Sequence, residues 1–313
     1  MSSYQYKAYN LNFASCIQFR QLEVSQDKQI DVTISRGKIA WNPSLKPEEF
    51  RSWHIDGDDV YYYWQLSGKY LIRGGKEIIF DPSPDAISEY AIGLPILGPV
   101  LGMLLHQRNY LVLHGSGIKI DGNACLFLGY KGQGKSTMAA TLYGRGHKLM
   151  ADDIAAITFD EKDGLMLLPG FPQIKLWPDA VTAALNSNPE DMPEIYPDVP
   201  KRACPTFENF HHTSIPLKRI YILGSGGEQP EIKLLKPQEA LKQIVGNSYV
   251  PMNLGNDFSQ IKNAHQHFYD CTKLVNQVSV CSLKRPRSLD LLPKIANLVE
   301  QDMAKDTCLT VAN

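Results

Sequence analysis

Apolar and polar residues alternate along residues 1–85 of the chain, which is typical of β-strands joined by tight turns. The stretch "YQYKAYNLNFAS" alternates in this way, and "DDVYYYWQLSGKYLIRGGKEIIFDP" contains strand patterns separated by the turns "SGK" and "GGK". The following stretch, "SPDAISEYAIGL", has the pattern of a helix start with Ser83 as its N-cap. The sequence therefore predicts a β-rich N-terminal domain over 1–85 and a bridging helix over 86–106.

A second pattern begins with two apolar strands, "YLVLHGSGIKI" and "NACLFLG", which flank the tight turn "DG". A glycine-rich loop, a helix and a further strand, "HKLMA", follow in that order. Strand, loop, helix and strand form a βαβ unit, which predicts a parallel pair of strands. We predict an α/β domain over 107–303 and a C-terminal tail over 304–313.

The rest of this domain returns to alternating strands and helices. The stretches "LKRIYILG" and "VSVCSLKR" have strand patterns, and helices are predicted over 237–246, 258–276 and 288–302. The segment 186–210 is rich in proline, asparagine and acidic residues, so it is predicted to be irregular.

The composition argues against several classes of protein. A count of 32 Lys+Arg against 33 Asp+Glu gives a net charge of -1, which leaves no basic footprint for nucleic acid or an anionic membrane. The uncharged stretch 90–105 is shorter than the ~20 residues of a spanning helix. It also contains Pro95 and Pro99, so a buried, kinked helix is predicted. Six cysteines without a CxxC pair, and an N-terminus without a signal pattern, predict a cytoplasmic protein.

The strongest motif is "GYKGQGKS", which matches G-x-x-x-x-G-K-[ST] in full and lies between a predicted strand and a predicted helix. In such a loop the backbone N–H groups turn inward around phosphates, the lysine neutralises the β- and γ-phosphates, and the serine hydroxyl binds Mg²⁺. The motif predicts a nucleotide site formed by Gly129, Tyr130, Lys131, Gly132, Gln133, Gly134, Lys135, Ser136 and Thr137.

Two adjacent carboxylates, Asp152 and Asp153, follow the strand "HKLMA". Ligands of open α/β sheets collect at the carboxyl ends of strands, so this pair is predicted to face the phosphates. One carboxylate suits the metal, and the other could accept a proton from an attacking hydroxyl. Close like charges also raise the pKa of one partner, which favours proton acceptance. The alternative is a solvated Asp-Asp turn.

Several cations are candidates to neutralise a transferring phosphoryl group. Lys175 lies in "QIKLWPD", and Lys201 and Arg202 lie in "PKRACP". A solvated surface position is the alternative for each of them. Arg285 and Arg287 are predicted to be surface or interface charges.

The stretch "LHGSGIKIDGNACLFLGYKGQGKSTMAATLYGRGHKLMADDIAAI" resembles the catalytic core of HPr kinase/phosphorylase. That family has a His-Gly pair before the P-loop strand, a Walker A motif and then an "RGH-L-ADD" pattern in the same order and spacing. The chain is also similar to stand-alone HPr-kinase-like proteins of bacteria, some encoded beside peptide-maturation genes such as those for lasso peptides. The stretches "GGKEIIFDP", "LLHQRNYLVLHGSG" and "SVCSLKRPRSLDLL" carry that similarity, which covers about 69–298.

This resemblance implies an α/β fold with a P-loop kinase core of the HPr kinase and PEP carboxykinase type, beside a smaller β-rich N-terminal domain that is a candidate for acceptor recognition. It implies that Asp152 activates the acceptor hydroxyl, that Asp153 binds Mg²⁺ with Ser136, and that His114 orients the carboxylates. Lys175 and Arg202 remain candidate catalytic cations. The residues alone leave the reverse order within the aspartate pair open.

The chain also departs from the family. HPr kinase/phosphorylase has a segment close to Glu-Ile-Arg-Gly-Leu-Gly that is tied to its phosphorylase reaction, whereas this chain has "LLPGFPQIKLWPDAV" at the comparable distance. Neither a phosphorylase activity nor HPr as the acceptor is therefore predicted, and a hexameric ring is not assumed.

The reading that the sequence favours is an ATP- and Mg²⁺-dependent kinase. Its acceptor is a serine-like hydroxyl of a peptide or protein, for which a ribosomal precursor peptide is the favoured case. A kinase for a free hydroxy amino acid or metabolite, and a non-catalytic nucleotide-binding regulatory module, are the alternatives. No nucleic-acid or membrane partner is predicted, and a homo-oligomer stays open.

Overall fold

The computed structural model describes residues 4–40, 50–84, 86, 88–160, 162, 164–196 and 199–305. Its contacts divide the mixed α/β chain into two units, one formed by Met1–Val112 with Tyr249–His267 and the other by Leu113–Ser248 with Phe268–Asn313. The predicted bridging helix thus belongs to the first unit, and the chain returns to that unit near residue 249. The predicted tail at 304–313 lies outside the described residues except for its first two positions.

An eight-stranded sheet forms most of the first unit, in the order β3-β1-β2-β4-β8-β7-β6-β5. Side chains alternate between buried and more exposed positions, as in Val60, Tyr62 and Trp64 of β6, so one face of the sheet forms a core. The described residues of 1–85 thus contain eight strands, in keeping with the alternating pattern of the sequence. The strands are β1 (Tyr4–Ala8), β2 (Leu11–Ser15), β3 (Glu23–Val24), β4 (Val32–Arg36), β5 (Arg51–Asp56), β6 (Asp59–Trp64), β7 (Gly68–Arg73) and β8 (Glu77–Pro82).

The apolar stretch after the sheet is a kinked helix, as predicted. It comprises α1 (Glu89–Pro95), a π-helical turn over Ile96–Val100 and α2 (Leu101–Gln107). The N-cap is Ser88 and not Ser83, because the Ser88 hydroxyl accepts a hydrogen bond from the Ala91 N–H. Within the described residues this 19-residue helix is long and apolar enough to cross a membrane, and 78% of its most apolar window is buried inside the protein.

Two buried histidines of the first unit, His106 and His267, lie with ring centroids 5.8 Å apart, and both rings contact Phe258. Burial lowers the pKa of each imidazole to about 4, and for His106 the neighbouring His267 lowers it further. In the unfolded chain the pKa of histidine is about 6.5. Acid therefore favours the unfolded state, which binds these protons more readily.

We expect the free energy of unfolding to fall as the pH drops from 6.5 towards 4, by up to about 3 kcal/mol per histidine. Urea unfolding at intervals between pH 7.5 and 4 would measure this slope. A His106→Leu variant should show a shallower slope across that window than the unmodified chain. Identical slopes in the two proteins would contradict the assignment to His106.

The second unit is built on another eight-stranded sheet, with the path β10-β9-β12-β13-β17-β19-β18; β10 also pairs with β17, and β11 pairs with β9. A separate three-stranded sheet has the order β14-β16-β15, and its strands lie between β13 and β17 along the chain. The strands are β9 (Leu111–Ile120), β10 (Asn123–Leu128), β11 (Lys148–Ala151), β12 (Ile154–Asp160), β13 (Gly164–Leu167), β14 (Gln173–Leu176), β15 (Glu194–Tyr196), β16 (Val199–Pro205), β17 (Ile215–Ser225), β18 (Glu231–Leu234) and β19 (Ser279–Arg285).

Strand β9 lies between the two strands of the predicted βαβ unit. Both β10 and β11 pair antiparallel with it, so they run in the same direction without being neighbours. Their carboxyl ends therefore meet at one edge of the sheet, beside the start of β9. The turn between β9 and β10 has positive φ at Asp121 (45°) and Gly122 (84°), as the sequence "DG" predicts for a hairpin.

Helix positions after residue 112 agree in part with the predictions. The predicted helix at 237–246 is α5, whereas those at 258–276 and 288–302 begin later, as α7 and α8. The segment 186–210 was predicted to be irregular, which is wrong, because β16 pairs with both β14 and β15. The helices are α3 (Lys135–Gly144), α4 (Pro178–Leu185), α5 (Pro237–Gly246), α6 (Tyr249–Leu254), α7 (Ala264–Gln277) and α8 (Leu292–Met303).

Candidate active site

The glycine-rich loop connects the end of β10 to the start of α3, as the motif predicts. Gly129, Gly132 and Gly134 have φ values of 147°, 83° and 79°, which side chains with a Cβ rarely adopt. At Gly129 a Cβ would also lie 3.1 Å from the carbonyl oxygen of Leu223. The glycines therefore allow the tight turn that leads into α3, and the N-terminus of a helix is a favourable position for a phosphate.

Lys135 is buried, and its ammonium group is held by the loop itself. Its Nζ donates to the Gly129 carbonyl oxygen at 2.7 Å and to that of Tyr130 at 3.4 Å. Burial lowers the pKa of Lys135, while the negative charges of Asp153 and Asp152 raise it. The lysine and both aspartates thus belong to one electrostatic cluster.

Asp152 is the buried member of the aspartate pair, with 5% of its surface exposed. Its Oδ1 accepts a hydrogen bond from the Ser116 hydroxyl at 2.6 Å, and its Oδ2 accepts one from the backbone N–H of Lys175 at 2.9 Å. Ser116 lies on β9 and Lys175 on β14, so the carboxylate is fixed between two strands. Each oxygen retains a further lone pair.

Asp153 is the more accessible member, with 32% of its side chain exposed. Its Oδ1 lies 3.2 Å from His114 Nδ1, and its Oδ2 lies 3.5 Å from Lys175 Nζ. The residue has φ of 75°, so the backbone turns sharply after Asp152 and the two side chains reach different surroundings. His114 Nδ1 also lies 3.1 Å from the Asp153 carbonyl oxygen.

The charges around Asp153 decide its ionisation. Burial raises the pKa of this carboxyl, but Lys175, His114 and Lys201 outweigh burial and hold the pKa well below its ordinary range. Asp153 is therefore ionised at neutral pH. It offers a fixed negative charge to a metal ion or to a hydroxyl group.

The structure brings two of the candidate residues, His114 and Lys175, to the aspartate pair. Arg202 lies elsewhere: it is buried, and its guanidinium pairs with Glu190 at 2.9 Å and Glu194 at 3.0 Å. The hypothesis that Arg202 clamps a phosphoryl group is not supported by this geometry. Its neighbour Lys201 is the cation whose charge acts on Lys135 and Asp153.

Asn247, which the sequence does not mark as a site residue, links the glycine-rich loop to the strand that carries His114. Its Oδ1 accepts the Gly129 N–H at 3.0 Å, and its backbone carbonyl accepts the His114 N–H at 2.8 Å. Its amide in turn donates to the Gln243 carbonyl oxygen of α5 at 2.8 Å. An asparagine just after a helix is common, so nothing local in the sequence marks this one.

Replacing Asn247 by alanine should weaken nucleotide binding about tenfold, because the buried Gly129 N–H loses its acceptor and the loop loses its anchor. The same loss should lower stability by roughly 1–3 kcal/mol. Titration with ATP and thermal melting would measure the two effects. Ser187→Ala, which removes a hydroxyl bonded to the Leu185 carbonyl oxygen, is a matched control. Unchanged ATP affinity in the Asn247 variant would exclude the anchoring role.

The donors at this site fit Mg²⁺. No group of three His, Cys, Asp or Glu side chains that could hold a metal occurs in the described part of the chain. Mg²⁺ does not need such a cage, since it is usually held by one or two carboxylates together with substrate phosphates and water. Asp152, Asp153 and the hydroxyl of Ser136, the residue after Lys135 in α3, are donors of that kind.

Comparisons with known proteins give limited similarity, and no family model matches the chain. The UDP-N-acetylmuramate–L-alanine ligases of Lacticaseibacillus casei (strain BL23) and Lacticaseibacillus paracasei (strain ATCC 334) are each 38% identical over 73 residues. Those residues are 22% of this chain and only 16% of either ligase.

A solved structure, the HPr(Ser) kinase/phosphatase from Coxiella burnetii, is a structural neighbour. It matches with a TM-score of 0.30 and 12% identity, over 61% of this chain and 95% of that one. A likeness at this level does not assign the family. The function is therefore proposed from the geometry of the site.

Proposed function

We propose that this protein is an ATP-dependent kinase that transfers the γ-phosphoryl group to a serine-like hydroxyl. The observation that carries the proposal is the placement of a partly exposed, ionised carboxylate, Asp153, in one electrostatic cluster with the P-loop Lys135. A loop that only stores a nucleotide has no use for a fixed carboxylate, a histidine and a second lysine at the same edge. Phosphoryl transfer uses all of them.

The loop and its lysine supply the binding of the donor. Inward N–H groups and Lys135 hold the β- and γ-phosphates, and burial strengthens these interactions. Mg²⁺ would be held by Ser136 and one aspartate, and when bound it would neutralise charge on the phosphates. Lys175 and Lys201 provide further positive charge beside Asp153.

We assign the hydroxyl-facing role to Asp153 and the metal-binding role to Asp152, the reverse of the order that the sequence resemblance implies. Three contacts support this assignment. Asp153 is the carboxylate that solvent reaches, and His114 lies 3.2 Å from its Oδ1. Asp152 is buried, and fixed donors hold both of its oxygens.

In the transfer step one bond to the γ-phosphorus forms and another breaks. The acceptor oxygen forms a bond to the γ-phosphorus, and the bond from that phosphorus to the β–γ bridging oxygen breaks, which releases ADP. Asp153 orients the hydroxyl by accepting its hydrogen bond, and His114 holds the carboxylate in place. Because Lys175, His114 and Lys201 keep the pKa of Asp153 low, against the raised pKa that the aspartate pair predicts, the proton passes to it late, when the bond to phosphorus has made the hydroxyl oxygen acidic. Because the transition state is loose, positioning and charge neutralisation contribute more than proton removal.

The acceptor class is proposed from the sequence resemblance, which favours a peptide or protein and, among these, a ribosomal precursor peptide. A free hydroxy amino acid would use the same catalytic groups.

To distinguish a peptide acceptor from a free amino acid, the purified chain would be incubated with γ-labelled ATP and Mg²⁺ and offered either free serine or serine-containing peptides, including a precursor encoded beside its gene. Labelled phosphoserine in a peptide supports the proposal. ATP binding without label on any acceptor would favour a non-catalytic nucleotide-binding module.

A further inference from the structure

The P-loop strand has different chemistry on its two sides. Strand β10 pairs with β9 on one side and with β17 on the other. Beyond β9 lies β11, whose end carries the aspartate pair. Beyond β17 lies β19, which pairs parallel with it and ends at Arg285. The P-loop therefore separates a carboxylate side from a side that ends in arginine.

Two arginines on that second side are linked to Gln133 of the loop, Arg285 directly and Arg287 through Ser225. Arg285 Nη2 donates to the Gln133 carbonyl oxygen at 2.5 Å. Arg287 Nε donates to the Ser225 hydroxyl at 2.9 Å, and this hydroxyl donates to Gln133 Oε1 at 3.2 Å. The prediction that Arg285 is a surface or interface charge is wrong, because it is half-buried against the phosphate-binding loop.

The arginine pair has a charge that the protein does not balance. Within the described residues, no carboxylate lies within 4.0 Å of either guanidinium, in contrast to Arg73, Arg145, Arg202 and Arg219. Other arginines in the described part of the chain also lack such a partner, so what distinguishes Arg285 and Arg287 is that they lie together beside the glycine-rich loop. Burial and the neighbouring Arg287 lower the pKa of Arg285. Two like charges held together beside a phosphate loop are stabilised when an anion lies between them.

A structural role explains only part of this arrangement. The bond from Arg285 to the Gln133 carbonyl oxygen buttresses the loop, and a Cβ on Gly134 would come within 2.8 Å of the same Nη2. Arg287 adds little to this buttress, because it is exposed and donates to the Ser225 hydroxyl, which could bond to Gln133 without it. A second guanidinium would destabilise a purely structural contact through charge repulsion, whereas it would increase the affinity of a site for an anion.

We propose that Arg285 and Arg287 bind the α-phosphate of the nucleoside triphosphate and thereby select it over pyrophosphate as the phosphoryl donor. The inference rests on the proposed function, in which Lys135 and the loop hold the β- and γ-phosphates near the aspartates. A polyphosphate chain that starts there and crosses the loop away from the carboxylates reaches the arginine side. The planar guanidinium, with its paired N–H donors, suits a phosphate group.

The test compares three probes on the full chain: ATP, inorganic tripolyphosphate and pyrophosphate, each measured by calorimetry or by displacement of a fluorescent nucleotide. Arg287→Ala should weaken ATP and tripolyphosphate about tenfold and leave pyrophosphate within about twofold. Arg285→Lys should act in the same direction while keeping the charge. Lys284→Ala, which removes an exposed positive charge from the same strand, is the matched control and should leave all three affinities unchanged.

The other outcomes overturn the proposal. Equal weakening of all three probes by Arg287→Ala would mean a general electrostatic effect, and weakening of ATP alone would mean contact with the nucleoside. Unchanged affinities in both arginine variants would leave only the buttressing role. These readouts need no acceptor, so failure of the kinase assay with intact probe binding would count against the proposed function alone. A wild-type chain that bound none of the probes would overturn both.

Discussion

Replacing Lys135 by alanine is expected to abolish nucleotide binding and phosphoryl transfer together. The ammonium group is buried, bonded to the Gly129 carbonyl oxygen and close enough to both aspartates for their charges to act on it. Its loss removes the cation nearest the β- and γ-phosphates and leaves the aspartate pair to repel them. We expect ATP affinity to fall by at least about 100-fold and turnover by about 10³-fold or more.

Calorimetric titration with ATP and a labelled-phosphate assay would measure the two losses. Lys148→Ala removes an exposed lysine at the start of β11 and serves as the control, since it should change neither quantity. A far-ultraviolet circular dichroism spectrum like that of the unmodified chain would show that the variant is folded. ATP affinity that survived the loss of Lys135 would overturn the role assigned to the loop.

Replacing Asp153 by asparagine should lower turnover by about 10²–10⁴-fold while ATP affinity changes little. The amide keeps the shape of the side chain but cannot accept a proton or balance the charge of Lys175 and His114.

Asp152→Asn should instead raise the Mg²⁺ concentration needed for half-maximal activity, because that carboxylate is assigned to the metal. The same change should cost roughly 1–3 kcal/mol of stability, because one buried donor loses its acceptor.

Steady-state kinetics at several Mg²⁺ concentrations would separate the two aspartates. If Asp153→Asn shifted the Mg²⁺ requirement and Asp152→Asn did not, the order implied by the sequence resemblance would be the correct one. If both variants turned over at the wild-type rate, the pair would have a structural role and not a catalytic one. Glu231→Gln, an exposed carboxylate on β18, is the charge-matched control.

The central part of the site could be predicted because its information is local. Eight consecutive residues specify the loop, and the flanking strand and helix patterns confirm its setting. The aspartate pair could be placed because strands that run in the same direction end at the same edge of a sheet. The intervening position of β9 was not predictable from the βαβ pattern, yet it leaves those ends together.

The site residues that the sequence does not indicate contact partners that lie far away along the chain. Asn247 is 118 positions from the Gly129 that it anchors, and Arg285 is 152 positions from Gln133. A single sequence carries no record of such pairings. Lys201 and Arg202 illustrate a different limit, because adjacent strand residues point to opposite faces. Which of the two faces the aspartates depends on β16 being a strand, whereas the composition of the segment predicts an irregular structure.

Strand β9 makes the site sensitive to insertions. His114 contacts Asp153 and Ser116 contacts Asp152, so two alternate residues of one strand hold both members of the aspartate pair. A single residue inserted into β9 after Ser116 would shift its pairing with β10 and β11 by one position and turn His114 and Ser116 to the opposite face together. Such an insertion would therefore remove both contacts together. Length variation among homologues is therefore expected to avoid β9 and to fall in the turn that follows it.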